Sequence, residues 1–304
     1  MSFREHHVGM ADGVRIYARD YPSAAALTPV ICLPGLTRNA RDFEAVAPHL
    51  ARHRRVICID FRGRGQSARA DPTTYRPDVE LADTLALLDH LNIRRAAVLG
   101  TSRGGVVALL MAAKALDRLA GVLFNDIGPR IDKAGLIRIR TYLGGDPQFS
   151  SWEHAVTALK ATNPGFQSLS QDNWMVFARR VFRNENGLPR ADYDAGLTQN
   201  FPSVEDIEAG RVPELWALLD LMAGLPATVL RGEHSDLLSA ATVAEMQERL
   251  PGLAAVTVKA RGHVPFLDEP ESLAAIGQWL ALVDGRESLR RTMTDGSSSV
   301  RSAD

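Results

Sequence analysis

Along the first 129 residues, short apolar runs alternate with longer segments of helical period. The pattern predicts a hairpin over 3–22, turning at Ala11-Asp12-Gly13, where Asp-Gly is a strong two-residue turn signal. Strands follow at 29–33, 55–60, 96–101 and 119–125, with helices near 42–52, 78–91 and 103–115 between them. The inner runs, such as Val30-Ile31-Cys32-Leu33, are apolar at successive positions rather than at alternate ones. Such strands are buried on both faces, so the order implies an α/β chain with a mostly parallel central sheet flanked by helices. The alternation stops after Pro129. Residues 130–212 keep helical periodicity with no convincing strand, and strand patterns resume at 227–230 and 254–258. This divides the chain into a core of 1–129 and 213–284 with an inserted helical cap at 130–212. Residues 285–304 are polar and poor in apolar side chains, and are expected to be a disordered tail.

One junction carries chemistry. The strand Ala96-Ala97-Val98-Leu99 runs into Gly100-Thr101-Ser102-Arg103-Gly104, and a helical segment follows at once. Gly-x-Ser-x-Gly by itself recurs by chance. Between a strand and a helix it predicts a tight turn that lifts Ser102 above the sheet, with its Oγ beside the helix N-terminus. The glycines are needed because a Cβ at either position would strike neighbouring backbone.

A nucleophilic serine needs a base, and the base needs an acid to orient it. The expected chain order is Ser, acid, His. The strand Ala227-Thr228-Val229-Leu230 ends in Arg231-Gly232-Glu233-His234-Ser235-Asp236, which makes Asp236 the expected acid. Asp126, in Phe124-Asn125-Asp126 at the end of the preceding strand, is its rival. The plainer role for Asp126 is a carboxylate that bonds N–H groups of its own loop. Of the eight histidines, only His263 follows the last strand, on the loop Arg261-Gly262-His263-Val264-Pro265. It is the expected base.

With these segments the chain resembles the α/β-hydrolase family over residues 1 to about 284. Val30-Ile31-Cys32-Leu33-Pro34-Gly35-Leu36 is similar to the strand and oxyanion loop of that family, although the usual histidine before the glycine is absent. Ile59-Asp60-Phe61-Arg62-Gly63-Arg64-Gly65-Gln66-Ser67 is similar to its Asp-x-Arg-Gly-x-Gly-x-Ser segment, which shapes a loop near the site. The resemblance implies a serine hydrolase. Ser102, Asp236 and His263 would be the triad, and the backbone N–H groups of Leu36 and Arg103 the oxyanion donors. Serine at the nucleophile position argues against the dehalogenase and epoxide-hydrolase branches, whose nucleophile is a carboxylate.

Composition narrows the setting. At 304 residues and 45% hydrophobic content, the chain can bury a substantial core. A net charge of −1 and the lack of a basic stripe give no electrostatic case for nucleic acid. No apolar run is long enough for a membrane span, and the polar start Met1-Ser2-Phe3-Arg4 lacks a signal-peptide core, so the cytoplasm is the expected compartment. Cys32 and Cys58 lie in separate apolar strands without metal-ligand spacing. Neither a metal nor an organic cofactor is expected, and the partner is a small-molecule ester or related acyl compound.

The cap is rich in aromatics. Five of the ten phenylalanines fall there, and most are expected to pack cap onto core. Trp174 and Phe182 are the candidates for lining a pocket over Ser102. The Arg103 side chain either pairs with an acidic neighbour or binds a substrate carboxylate. Cleavage of carboxylic esters is the leading reading. Hydrolysis of carbon–carbon bonds, lactonase or perhydrolase chemistry on the same triad comes next, followed by a slow-turnover ligand sensor. The scaffold alone does not separate these.

Overall fold

The apolar runs become strands, and their order places the site. In the computed structural model, which describes residues 2–145 and 147–299, the chain begins with β1 (Arg4–Gly9) and β2 (Arg15–Tyr21). Next come β3 (Val30–Leu33), α1 (Val46–Leu50), β4 (Val56–Ile59), α2 (Pro77–His90), β5 (Ala96–Thr101), α3 (Arg103–Lys114) and β6 (Leu119–Asn125). The inserted region holds α4 (Lys133–Tyr142), α5 (Trp152–Thr162), α6 (Gln171–Val181), β7 (Phe182–Glu185), β8 (Leu188–Ala191) and α7 (Val204–Glu208), and the core resumes with α8 (Trp216–Asp220). The chain closes with β9 (Ala227–Gly232), α9 (Ala240–Arg249), β10 (Ala254–Val258) and α10 (Pro270–Ser299).

The main sheet has the order β1-β2-β4-β3-β5-β6-β9-β10. β2 is antiparallel to both β1 and β4, and every later pairing is parallel. Successive residues of one strand feed opposite faces. Ile31, Ile57 and Val98 meet α2 and α3 on one side, while Cys32, Cys58 and Leu99 meet α1 and α10 on the other. This is why the inner strands carry no polar alternation. Cys32 and Cys58 are register partners on β3 and β4, both fully buried with free thiols, and burial pushes the Cys58 thiol well up.

Helix starts follow local rules. Pro77 opens α2 with Asp78 and Glu80 in its first turn, where the helix dipole favours negative charge. Ser151, Ser170 and Ser239 cap α5, α6 and α9, each accepting a hydrogen bond from the backbone N–H three residues on.

Two expectations change. The inserted region is not purely helical, because β7 and β8 form an antiparallel hairpin. Its turn is Asn186-Gly187, both at positive φ, a two-residue hairpin signal set within a stretch of helical periodicity. The tail from residue 285 is also not disordered as far as it is described. α10 continues through it to Ser299, and the nearly buried Glu287 pairs with Arg95 at 3.0 Å. That ion pair anchors a segment with little apolar surface of its own. Residues 300–304 of the expected tail lie outside the described residues.

Asp60, just after β4, organises the loop that faces the site. Its two oxygens accept the backbone N–H of Ala40 at 2.7 Å and of Gln66 at 2.8 Å. Burial raises its pKa to about 6 against the pull of these two hydrogen bonds. The folded state therefore holds the Asp60 proton more tightly than the unfolded chain does. Between about pH 4 and pH 6 this group lowers stability as pH rises, by up to about 3 kcal/mol in all. Urea unfolding midpoints of wild type and Asp60→Asn, measured from pH 4 to pH 7, should diverge in slope over that window. Parallel profiles would show that Asp60 does not titrate there.

Candidate active site

Ser102 sits between β5 and α3 with φ of 49° and ψ of −112°. This is a strained backbone conformation for a residue with a side chain, and such strain gathers at functional positions. Only glycine fits on either side. A Cβ on Gly104 would lie 2.1 Å from the Leu33 carbonyl oxygen, and one on Gly100 would lie 2.7 Å from the Gly104 and Gly105 backbone. The turn presents Ser102 to the cavity described below, at the N-terminus of α3.

His263 meets Ser102 from the loop after β10. Its Nε2 is 3.0 Å from Ser102 Oγ. Its Nδ1 is 2.7 Å from Asp126 Oδ2. A carboxylate only accepts, so the ring proton belongs on Nδ1 and Nε2 is left to accept from the serine hydroxyl. The loop is held from below: Asn125 Nδ2, at the end of β6, donates to the Pro265 carbonyl at 3.1 Å.

The acid on His263 is therefore Asp126, and Asp236 is not in that position. Asp126 is fully buried, with φ of 55°. Its Oδ1 accepts the Gly232 N–H at 2.8 Å, and its Oδ2 accepts the Ser235 hydroxyl at 2.7 Å as well as His263. The loop after β9, expected to supply the acid, instead wraps the acid supplied by β6. Asp236 itself is committed to Arg138 of α4, which donates through Nε and Nη2 to its two oxygens. Burial raises the Asp236 carboxyl, but the hydrogen bonds and charge of Arg138 outweigh this and hold it below the usual carboxylate range.

A cavity of about 460 Å³ opens over Ser102 and His263. Leu36 and Phe182 line it, as do Phe177, Phe266, Arg38 and Arg180, which were not singled out in the sequence. Trp174 does not line it. Its ring packs in the cap with Phe166 at 6.2 Å and Phe177 at 5.8 Å between centroids. Trp174 and Phe177 are three residues apart on α6, and helical periodicity does not tell which of them reaches the cavity.

The Arg103 side chain also does not line it. Its Nε is 3.2 Å from Glu80 Oε2, and its Nη2 donates to the Tyr75 carbonyl at 3.3 Å. The other oxygen of Glu80 lies 2.7 Å from Arg64 Nη2, and both of these side chains are fully buried. The Arg64 Nε–H then donates to the Leu36 carbonyl at 2.8 Å. These contacts join the first residue of α3 to the loop that carries Leu36 through one buried carboxylate. The close N–H groups are poorly aimed at the Glu80 oxygens, so the attraction is chiefly between charges.

A model of a family described as the alpha/beta hydrolase family matches residues 30–276. A 3-hydroxybutyrate-oligomer hydrolase of Cupriavidus necator is 32% identical over 257 residues, spanning 82% of this chain and 87% of that protein. A 2-(acetamidomethylene)succinate hydrolase of Mesorhizobium japonicum is 26% identical over 81% of this chain and 85% of its own length. Among solved structures, an alpha/beta hydrolase from Novosphingobium aromaticivorans matches with a TM-score of 0.85 at 40% identity, covering 92% of this chain and 99% of that one.

Proposed function

The chain belongs to the alpha/beta hydrolase family, and from that premise we propose that it cleaves carboxylic esters with Ser102 as nucleophile, His263 as base and Asp126 as the orienting acid. The observation that carries this reading is the continuous line Ser102 Oγ to His263 Nε2 at 3.0 Å and His263 Nδ1 to Asp126 Oδ2 at 2.7 Å, opening onto a cavity of about 460 Å³.

The chemistry follows from those positions. As Ser102 Oγ attacks the ester carbonyl, its proton passes to His263 Nε2. Asp126 keeps the other ring proton on Nδ1 and stabilises the imidazolium. The backbone N–H of Arg103 belongs to the first turn of α3, where amides have no partner within the helix. With the N–H of Leu36, it supplies the donors for the oxyanion. The C–O bond of the tetrahedral intermediate then breaks, and His263 returns its proton to the departing alcohol. A water molecule, deprotonated by His263, adds to the acyl-Ser102 carbonyl. Collapse of that second intermediate frees the acid and restores the serine. The Arg64–Glu80–Arg103 contacts hold the two donor segments at a fixed spacing. This matters because a misplacement of about 1 Å can cost about 10²-fold in rate.

Substrate identity is tested with a chain-length series of p-nitrophenyl esters and with 3-hydroxybutyrate oligomers, the substrate named for the Cupriavidus relative. We expect hydrolysis with a chain-length optimum, and a pre-steady-state burst of p-nitrophenol equal to the enzyme concentration. Stoichiometric labelling of Ser102 by a fluorophosphonate should abolish turnover. Absence of both burst and labelling would remove the acyl-enzyme from the scheme.

A further inference from the structure

Among the described residues that line the cavity, the charged side chains are Arg38, Asp42 and Arg180. Arg38 is already matched. Its Nε donates to both Asp42 oxygens at 3.0 Å, its Nη2 bonds the same carboxylate, and its guanidinium stacks 5.0 Å from the Phe177 ring centroid. Arg180 is not matched to the same degree. Its hydrogen bond to Asp268 is long, at 3.4 Å, and Asp268 is 40% exposed while Arg180 is only 12% exposed. A contact of that length to a solvated carboxylate is worth little. The cavity wall thus holds a guanidinium largely withdrawn from water without a strong anion of its own, beside the Phe266 ring at 5.8 Å.

The position of Arg180 is built, not incidental. Arg41, from the core, donates to the Arg180 carbonyl at 3.3 Å and to the Phe182 carbonyl at 3.4 Å. Arg41 is fixed in turn by Asp192 at 2.7 Å. The end of α6 is therefore pinned over the site, with one aromatic and one cation facing the same space.

We infer that Arg180 is a specificity-determining residue that binds a free carboxylate on the substrate, so that the preferred substrates are esters with an acidic group beyond an apolar linker. This rests on the ester-hydrolase reading above. Guanidinium suits the task because its planar fork takes a carboxylate through two parallel N–H···O bonds. The aromatic walls would cover the linker, leaving the scissile carbonyl at Ser102 and the charge at Arg180. The carboxylate recognition considered for Arg103 is thereby assigned to a guanidinium of the cap.

The test compares p-nitrophenyl hemiglutarate with p-nitrophenyl pentanoate, which has the same chain length without the acid. Wild type should favour the hemiglutarate in kcat/KM. In Arg180→Gln the ratio of hemiglutarate to pentanoate should fall by about 10- to 100-fold, chiefly through KM, and Arg180→Lys should restore part of it. No preference in wild type, or an equal loss on both esters in Arg180→Gln, would overturn the assignment. If wild type hydrolyses neither ester, the ester-hydrolase reading fails separately. Calorimetric binding of glutarate to Ser102→Ala and to Ser102→Ala/Arg180→Gln then decides the role of Arg180. Weaker binding without Arg180 supports it, and unchanged binding overturns it.

Discussion

Asp126→Asn should lower kcat by about 10⁴-fold on any ester the enzyme turns over, and Ser102→Ala by at least as much. Asp236→Asn should change kcat by less than about 10-fold. The contrast follows from geometry. Asparagine at 126 can offer its amide N–H to His263, which forces the ring proton onto Nε2, where it can no longer accept from Ser102. The two neighbouring donors on Asp126, the Gly232 N–H and the Ser235 hydroxyl, favour a carboxylate there. Asp236→Asn breaks instead the ion pair to Arg138, which ties α4 to the loop after β9. Its effect should appear as a lower unfolding midpoint. Steady-state kinetics of the three variants, with circular dichroism to confirm folding, checks the assignment. A loss of about 10⁴-fold in Asp236→Asn would overturn it.

The second large effect is on stability. Glu80→Gln should destabilise the fold by about 3–5 kcal/mol, the usual cost of removing one partner from a buried ionic group. Glu80 is fully buried between Arg64 and Arg103. Burial already pushes the Arg64 guanidinium below its ordinary pKa, so losing the anion leaves two cations facing each other without water. Urea denaturation at pH 7 measures this directly. A change under about 0.5 kcal/mol would mean that the guanidinium groups are satisfied by the carbonyls of Leu36, Arg62 and Tyr75 alone.

What was legible in the sequence was local. The Ser102 turn is written in adjacent residues: strand, glycines, helix. His263 could be found by elimination because only one histidine follows the last strand. The acid was harder. Asp126 and Asp236 both close strands at the same end of the sheet, and what separates them is Arg138, nearly a hundred positions from Asp236 in sequence. Arg138 claims one carboxylate and leaves the other to His263. The same blindness to distant partners applies to Arg103, whose fate depends on Glu80, and to the Arg95–Glu287 pair that orders the last helix. That Phe177 rather than Trp174 reaches the cavity is set by the rotation of α6 about its axis, which periodicity alone does not fix. The β7–β8 hairpin differs in kind, since its Asn-Gly turn was present in the text of the chain and was outweighed by surrounding periodicity.

The proposed assignment of Asp126, after β6, as the orienting acid has a consequence for how this scaffold changes over time. Ser102 and Asp126 directly follow the neighbouring strands β5 and β6, which are joined by α3 and a short 3₁₀ turn, all upstream of the insertion. The proposed nucleophile and acid thus form one contiguous module of 25 positions, with the proposed base, His263, arriving from across the cap. With the acid on the loop after β9, every lengthening or shortening of residues 130–212 would separate nucleophile from acid. With it after β6, the cap can be lengthened, trimmed or exchanged while two members of the proposed triad keep their spacing. Selection can then remodel the roof of the pocket, Arg180 included, without retuning the chemistry beneath it.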